Sequence, residues 1–209
     1  MKNTLTTFYL IRHGETEWNT KKLLQGHSDS PLTEEGKIKI RELAGKLAEV
    51  HFDHAFSSDL LRAKQTAEML MLNRQLAINT TQLLRERAYG QHEGRHRDEF
   101  RAKNKALIEQ FGKLSRQEQM KFKYAEDIES DDEVVQRLLV FLREAAVAYE
   151  GKTILMVSHG GVLRCFLRHL GSSLANKDIG NASYIKFTSD GVEFNIQETS
   201  GLKTGKQIT

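Results

Sequence analysis

Residues 10–19 read Leu-Ile-Arg-His-Gly-Glu-Thr-Glu-Trp-Asn, and this stretch is the most informative part of the sequence. The apolar run Phe8–Ile11 predicts a β-strand that ends where Arg12 and His13 begin. Gly14 then lets the backbone turn sharply. Because ligands of open α/β sheets bind at the carboxyl ends of strands, the stretch predicts a histidine and an arginine that face a binding site.

Working outward, short apolar runs alternate with longer amphipathic ones, which is typical of βα units around a mostly parallel sheet. Two more strands are predicted at His54–Phe56 and Thr153–Val157. Further predicted elements are a helix capped by Thr33, a helix from the cap signal Ser57–Asp59 to Met71, a helix opened by the capping box Ser130–Glu133, a helix after Gly161, and a hairpin of Tyr184–Phe187 with Val192–Ile196. We therefore predict one three-layer αβα domain over residues 1–209, with Ser200–Thr209 as a frayed polar tail.

Composition excludes several classes of protein. The 209 residues suit one ordinary α/β domain, and a net charge of +3 is too small to indicate a nucleic-acid or membrane partner. The lone Cys165 excludes an internal disulfide and fits a reducing compartment. No apolar stretch approaches the length of a signal-peptide core or a membrane span, so we expect a cytoplasmic protein.

Residues 95–129 stand apart and predict a helical insertion. Between Arg95 and Lys123 there are nine Lys and Arg residues against four Asp and Glu residues. This excess of five positive charges has two interpretations. It is either a solvated helix face or a basic lid over an anionic substrate, because clefts of one charge sign attract ligands of the other.

Two residue types at the predicted strand ends suit phosphoryl transfer. A neutral imidazole such as that of His13 is nucleophilic near pH 7 and can attack phosphorus. Arg12 offers planar donors for phosphate oxygens. His159 follows the predicted strand Thr153–Val157, and Gly160 opens a helix whose free N–H groups form an anion site.

Two more motifs complete the set. Arg62 lies on the first turn of its predicted helix and can point back over the site. Glu86 lies in the segment Leu84–Gly90, and a carboxylic acid near a phosphate cluster should have a raised pKa, as a general acid needs. Each motif alone is weak, because a single histidine or arginine is more often structural.

In this order and spacing, the motifs resemble the histidine phosphatase superfamily, also called the phosphoglycerate-mutase-like fold, from about Phe8 to Phe187. The resemblance implies that His13 becomes phosphorylated and that Glu86 protonates the leaving oxygen. It implies that the phosphoryl oxygens are held by Arg12, Arg62 and His159. It also suggests that further substrate contacts come from Asn19, Gln25, Gly26, Ser58, Arg87, Tyr89 and Gly160, and that Asn181–Ser183 matches a late structural motif.

Two departures bear on the activity. Ile128-Glu129-Ser130 stands where many members have Gly-Glu-Ser, so the turn before the next helix must be built without glycine. The insertion has no proline, since Pro31 is the only one in the chain, whereas the true mutases have a proline-rich stretch there. We therefore expect a phosphatase of a small phosphorylated metabolite. The alternatives are a cofactor-dependent phosphoglycerate mutase and a catalytically silent binding protein.

His92-Glu93-Gly94-Arg95-His96 fits the H-E-x-x-H pattern of zinc proteases. That pattern needs a stable helix, and the glycines at positions 90 and 94 disfavour one. We expect no metal and no cofactor. The identity of the phosphorylated substrate and the oligomeric state stay open at this stage.

Overall fold

The computed structural model describes residues 4–203, within which the chain forms six strands and eight α-helices. The strands are β1 (Thr6–Arg12), β2 (His54–Ser58), β3 (Ile78–Thr81), β4 (Thr153–Ser158), β5 (Asp178–Ser189) and β6 (Phe194–Lys203). The helices are α1 (Glu17–Thr20), α2 (Glu34–Lys46), α3 (Leu61–Met71), α4 (Arg97–Lys103), α5 (Lys105–Lys113), α6 (Arg116–Lys121), α7 (Asp131–Ala148) and α8 (Gly160–His169). Short 3₁₀ turns occur at Gln82–Leu84, Gly90–His92 and Ser173–Asn176.

All six strands form one sheet in the order β3-β2-β4-β1-β5-β6. The pairings β3/β2, β2/β4 and β4/β1 are parallel, while β5 runs antiparallel to β1 and β6 antiparallel to β5. The prediction of a mostly parallel sheet is confirmed. Because Arg12 is in register with Ser158, the carboxyl ends of β1 and β4 lie side by side.

The side chains of the central strands alternate between two cores, as a pleated strand buried on both faces requires. Phe8 and Leu10 of β1 pack in one cluster with α7 and α8. Tyr9 and Ile11 point to the other face and pack with α2 and α3. Helices therefore cover both faces of the sheet, which confirms the three-layer αβα architecture.

Two predicted helix caps are confirmed and a third is wrong. Thr33 accepts a hydrogen bond from the Gly36 N–H at 2.9 Å, and Ser130 forms a reciprocal capping box with Glu133. The cap signal Ser57–Asp59 does not cap α3, because β2 continues to Ser58 and the N-cap residue makes no side-chain bond. The carboxylate of Asp29 accepts from the first N–H groups of α3 instead.

Three boundaries differ from the sequence prediction. β3 was not predicted, because its four residues carry little apolar signal. The closing hairpin is longer than predicted, since β5 and β6 extend over residues 178–189 and 194–203. The predicted tail was wrong over residues 200–203, which pair with β5, and its remainder lies outside the described residues.

The insertion contains α4, α5 and α6, as its helical pattern predicted. The turn at Ile128 needs no glycine, because the backbone φ of Ile128 is not in the left-handed region. The Ile128 side chain is buried. None of the helices in residues 4–203 is long and apolar enough to cross a membrane.

Candidate active site

His13 lies directly after β1 and is 3 % exposed. Its backbone N–H donates to the Ser158 carbonyl at 2.9 Å, which ties it to the end of β4. Its Nδ1 lies 2.7 Å from the Gly14 carbonyl oxygen, so Nδ1 carries the proton and Nε2 keeps its lone pair. Burial, together with Arg62 and Arg12, lowers the pKa of His13 well below 6.5, so the ring is neutral at neutral pH.

His159 lies at the equivalent end of β4, where it is the N-cap residue of α8. Its ring centroid is 5.1 Å from that of His13. Burial, together with Arg62 and His13, lowers the pKa of His159 well below its ordinary value. Neither of its ring nitrogens has a hydrogen-bond partner in residues 4–203, so both are available to a ligand.

Arg62 emerges from the first turn of α3 and is 1 % exposed. Its Nη1 donates to the Ser28 carbonyl at 2.7 Å and to Asp29 Oδ1 at 2.9 Å. Its Nη2 donates to the Gly26 carbonyl at 2.7 Å. These bonds fix the plane of the guanidinium, while its buried Nε finds no partner in the described chain.

Arg12, the last residue of β1, places its guanidinium beside the start of α8. Its Nη1 donates to the Ile179 carbonyl, and its buried Nε is unpaired within residues 4–203. A Cβ at Gly160 would lie 3.0 Å from that Nε, so the absence of a side chain lets the guanidinium approach the start of α8. Unpaired buried donors are rare in folded proteins, so those of Arg12 and Arg62 mark a candidate anion site.

Glu86 lies beside the start of α8. Its Oε2 accepts from the Gly161 N–H at 3.0 Å and its Oε1 from the Arg87 N–H at 2.8 Å. A Cβ at Gly161 would lie 2.2 Å from Oε1, so glycine is required for this approach. The carboxylate is thereby held at a helix N-terminus, next to the residues that would hold a phosphoryl group.

Hydrogen bonds from Arg137 of α7 fix the loop that carries Glu86. Arg137 donates to the carbonyls of Leu83 and Glu86, each at 3.0 Å. It also pairs with Glu129, whose Oε2 accepts from the Ala88 N–H at 2.8 Å. Sequence reasoning missed Arg137, because the contact crosses more than 50 residues of chain.

Glu93 has a structural role that the sequence did not indicate. Its carboxylate accepts from the backbone of His27, Ser28 and Tyr89 and from the Ser28 hydroxyl, at 2.7–3.1 Å. Although burial opposes the shift, these hydrogen bonds lower the pKa of Glu93. The ionised carboxylate therefore joins the loop that anchors Arg62 to the loop after Glu86.

A cavity of about 310 Å³ opens next to Glu86. Its lining includes Arg12, Glu86 and the first residues of α8, together with residues of the insertion. Its other charged lining residues are Arg87, Arg97, Arg164, Arg168, Asp131 and Asp178. Tyr89 also lines it, and burial raises the pKa of Tyr89 to about 12, so the phenol keeps its proton at neutral pH.

Of five further predicted substrate contacts, two line the cavity and three do not. Arg87 and Gly160 line the cavity, although the Arg87 guanidinium also contacts Asp131 and the thiol of Cys165. The other three make intramolecular bonds and lie outside the cavity lining. Asn19 accepts from the Asn181 amide, Gln25 donates to Thr16 Oγ1 at 2.8 Å, and the Ser58 hydroxyl accepts from the Leu60 N–H.

Gly26 orients an arginine through its backbone. It adopts a left-handed φ of 54° and presents its carbonyl to Arg62. Asn181 likewise acts on the backbone near the site, since its amide donates to the His13 carbonyl at 3.2 Å. That these residues touch substrate directly stays a prediction.

The H-E-x-x-H stretch does not form one helix. Residues 90–92 make a 3₁₀ turn, Glu93 is extended, and His96 caps α4 by accepting from the Asp98 N–H. His92 packs edge-on against Phe100, with ring centroids 5.0 Å apart. Across residues 4–203, no group of three or more His, Cys, Asp or Glu side chains is arranged to hold a metal ion.

The chain belongs to the histidine phosphatase superfamily (branch 1), whose sequence profile matches residues 8–200. It is 50 % identical over 98 residues to fructose-2,6-bisphosphatase TIGAR of Xenopus laevis, a match that covers 44 % of this chain and only 35 % of that relative. It is 33 % identical over 165 residues to the probable phosphoglycerate mutase GpmB of Enterobacter sp. (strain 638), over 76 % of this chain and 72 % of the relative.

A comparison with a solved structure supports the same family and fold. Bacillus stearothermophilus YhfR superposes with a TM-score of 0.79 at 31 % identity, over 91 % of this chain and 95 % of that one. The phosphoglycerate-mutase-like fold predicted from the sequence is thus confirmed. The chain is an enzyme of the phosphatase or mutase kind.

Proposed function

We propose that the chain hydrolyses a small phosphomonoester through a phosphohistidine on His13. The geometry of His13 carries this proposal. Its Nδ1 proton is engaged by the Gly14 carbonyl, and its lowered pKa keeps Nε2 unprotonated. A buried neutral imidazole with a free lone pair, between two arginines and a second histidine, is suited to attack phosphorus.

In the first step, His13 Nε2 attacks phosphorus and the bond from phosphorus to the ester oxygen breaks. The electron pair of that bond goes to the leaving oxygen, which takes a proton from Glu86. The products are phosphohistidine and the free alcohol. The unpaired donors of Arg12, Arg62 and His159 would stabilise the charge on the phosphoryl oxygens, which is the main contribution to such reactions.

In the second step, water attacks the phosphohistidine. The Glu86 carboxylate takes a proton from the water, the bond from phosphorus to Nε2 breaks, and its electron pair returns to His13. Inorganic phosphate leaves, and both groups regain their starting protonation states. The same carboxyl thus acts as acid and then as base.

We propose that neither step uses a metal ion. The guanidinium groups of Arg12 and Arg62 supply the positive charge that a metal would provide, and neutral His159 can add an N–H donor. We also propose that the enzyme is cytoplasmic, since its lone cysteine is a free, buried thiol, and that residues 95–129 act as a lid on its single domain.

Two relatives favour different outcomes, since one is named a bisphosphatase and the other a probable phosphoglycerate mutase. We favour the phosphatase, with a sugar bisphosphate as one candidate substrate. The two are separated by incubating the enzyme with 3-phosphoglycerate and a bisphosphoglycerate primer. Release of inorganic phosphate supports hydrolysis, and conversion to the isomeric phosphoglycerate without phosphate release would identify a mutase.

A matched pair of variants tests catalysis against a silent binding role. His13→Ala should abolish phosphate release from a panel of phosphomonoesters, whereas His51→Ala should not change it, because the His51 side chain is 88 % exposed. If the wild-type protein releases no phosphate from any ester but still binds them, the silent alternative is correct.

A further inference from the structure

Three aromatic side chains of the insertion line the same cavity as the candidate acid. Phe111 comes from α5, Phe122 directly follows α6, and Tyr124 lies two residues further on. All three are half-buried, and none belongs to the two core clusters of the sheet. Their remaining exposed surface borders the cavity beside Glu86, and we call these three residues the aromatic wall.

The aromatic wall is held in place before any ligand arrives. The ring centroids of its members lie 5.1–5.9 Å apart, in edge-on or tilted contacts. Arg168 of α8 lies over the Phe111 ring at 5.6 Å and also pairs with the buried Asp131. The wall is therefore connected to the same helix that begins at the catalytic end of β4.

The cations of the cavity are mostly occupied by protein groups. Arg87 and Arg168 both bind the carboxylate of Asp131. Arg164 donates to the carbonyls of Ala175 and Lys177 at 2.6 and 3.1 Å. These interactions occupy most of the guanidinium groups of Arg87, Arg164 and Arg168, whereas the aromatic side chains supply the flat apolar surface of the cavity.

We propose that the alcohol part of the substrate carries one planar, unsaturated ring that stacks on the aromatic wall. This inference rests on the proposed function, because it places the leaving group on the Glu86 side of the phosphoryl group. Aromatic surfaces pack best against other flat π-systems, in offset or edge-on arrangements. The cavity of about 310 Å³ lies at the lower end of small-molecule sites, which favours a single ring.

Binding to His13→Ala protein tests the ring without turnover. The probes are benzyl phosphate and cyclohexylmethyl phosphate, which have the same connectivity and the same kind of alkoxide leaving group. Calorimetry should give a Kd about 2- to 10-fold lower for the benzyl ester, from the preference of aromatic pairs. Apolar burial alone predicts the reverse, because the saturated ring has the larger apolar surface. Equal Kd values, or a lower Kd for the cyclohexyl ester, would overturn the inference.

The chain supplies a matched control for the aromatic wall. Phe100 belongs to the same aromatic cluster, with its ring 5.9 Å from Tyr124, but it does not line the cavity. In the His13→Ala background, Phe122→Leu and Tyr124→Leu should remove the preference for the benzyl ester. Tyr124→Phe keeps the ring, so it should keep the preference, as should Phe100→Leu.

If Phe122→Leu does not fold, the comparison of Tyr124→Leu with Tyr124→Phe still decides the test. Loss of the preference in Phe100→Leu to the same extent would show that the rings only hold the insertion together, and this would contradict the proposal. Turnover of the two esters by wild-type protein is measured separately. Absence of turnover would contradict the proposed hydrolysis, while the two Kd values still decide whether the wall selects a flat ring.

Discussion

Replacement of Glu86 by glutamine separates proton delivery from positioning. Glutamine has nearly the same shape but cannot protonate a leaving oxygen. An alkoxide needs that proton as the ester bond breaks, whereas nitrophenolate does not, because nitrophenol has a pKa of roughly 7 against roughly 10 for an ordinary phenol. The variant should therefore lose activity mainly on alkyl phosphates.

The structure sets the size of the two effects. Glu86 accepts one bond at each oxygen, from the N–H groups of Gly161 and Arg87. Glutamine keeps one acceptor and faces an N–H with its own amide, so one hydrogen bond of about 0.5–1.5 kcal/mol is lost. That loss corresponds to roughly 2- to 13-fold in rate and affects every substrate. Loss of general acid catalysis adds about 100- to 10,000-fold on alkyl phosphates alone.

The assay compares kcat/KM for an alkyl phosphate and for nitrophenyl phosphate in wild-type, Glu86→Gln and Glu193→Gln proteins. Glu193 is exposed, so its variant should match the wild type on both substrates. If Glu86→Gln lowers both rates by the same factor, Glu86 acts only through position. The acid would then have to be sought at Glu93 or Glu15.

The remaining predictions each address one feature of the site. Gly161→Ala places a Cβ 2.2 Å from Glu86 Oε1, so the acid must move, and kcat on alkyl phosphates should fall about 100-fold; an unchanged kcat would contradict the placement of Glu86. Asp29→Asn removes the charge 2.9 Å from Arg62 Nη1. It should weaken inhibition by vanadate, used as a transition-state analogue, by a larger factor than it raises KM. Equal factors would rule out a role of Asp29 in transition-state binding. Because burial lowers the pKa of His13 well below 6.5, its neutral form persists as the pH falls through that value, so the acid limb of kcat/KM should lie well below pH 6.5; a limb at or above pH 6.5 would refute this. Prolonged treatment with a strong chelator should leave turnover unchanged, and loss of activity that zinc restores would overturn the metal-independent mechanism.

The local parts of the site could be predicted from the sequence. His13 and His159 each come one polar residue after an apolar run, so their place at strand ends depends on neighbouring residues only. That both histidines lie at the carboxyl-end edge of the sheet follows from the general rule for α/β proteins. The pairing of β1 with β4 was not predicted, because the two strands are distant in the sequence. The capping box at Ser130 is equally local, because its partners are three residues apart.

The parts that depend on distant contacts could not be predicted. Asp29 caps α3 and anchors Arg62 across 33 residues, and no local pattern marks it for either task. The wrong cap at Ser57–Asp59 has the same origin, since a remote carboxylate took the position that a local one usually fills. The aromatic wall was missed because its rings come from three irregularly spaced positions that meet only in the folded insertion.

Trapping of the phosphorylated enzyme tests the central claim most directly. Wild-type protein is mixed with a phosphomonoester substrate, quenched within the first turnover, and mapped by mass spectrometry under conditions that preserve phosphohistidine. We expect one phosphoryl group on His13, none on His13→Ala protein, and wild-type labelling of His51→Ala protein. A phosphoryl group on any other residue, or turnover by His13→Ala protein at the wild-type rate, would contradict this claim.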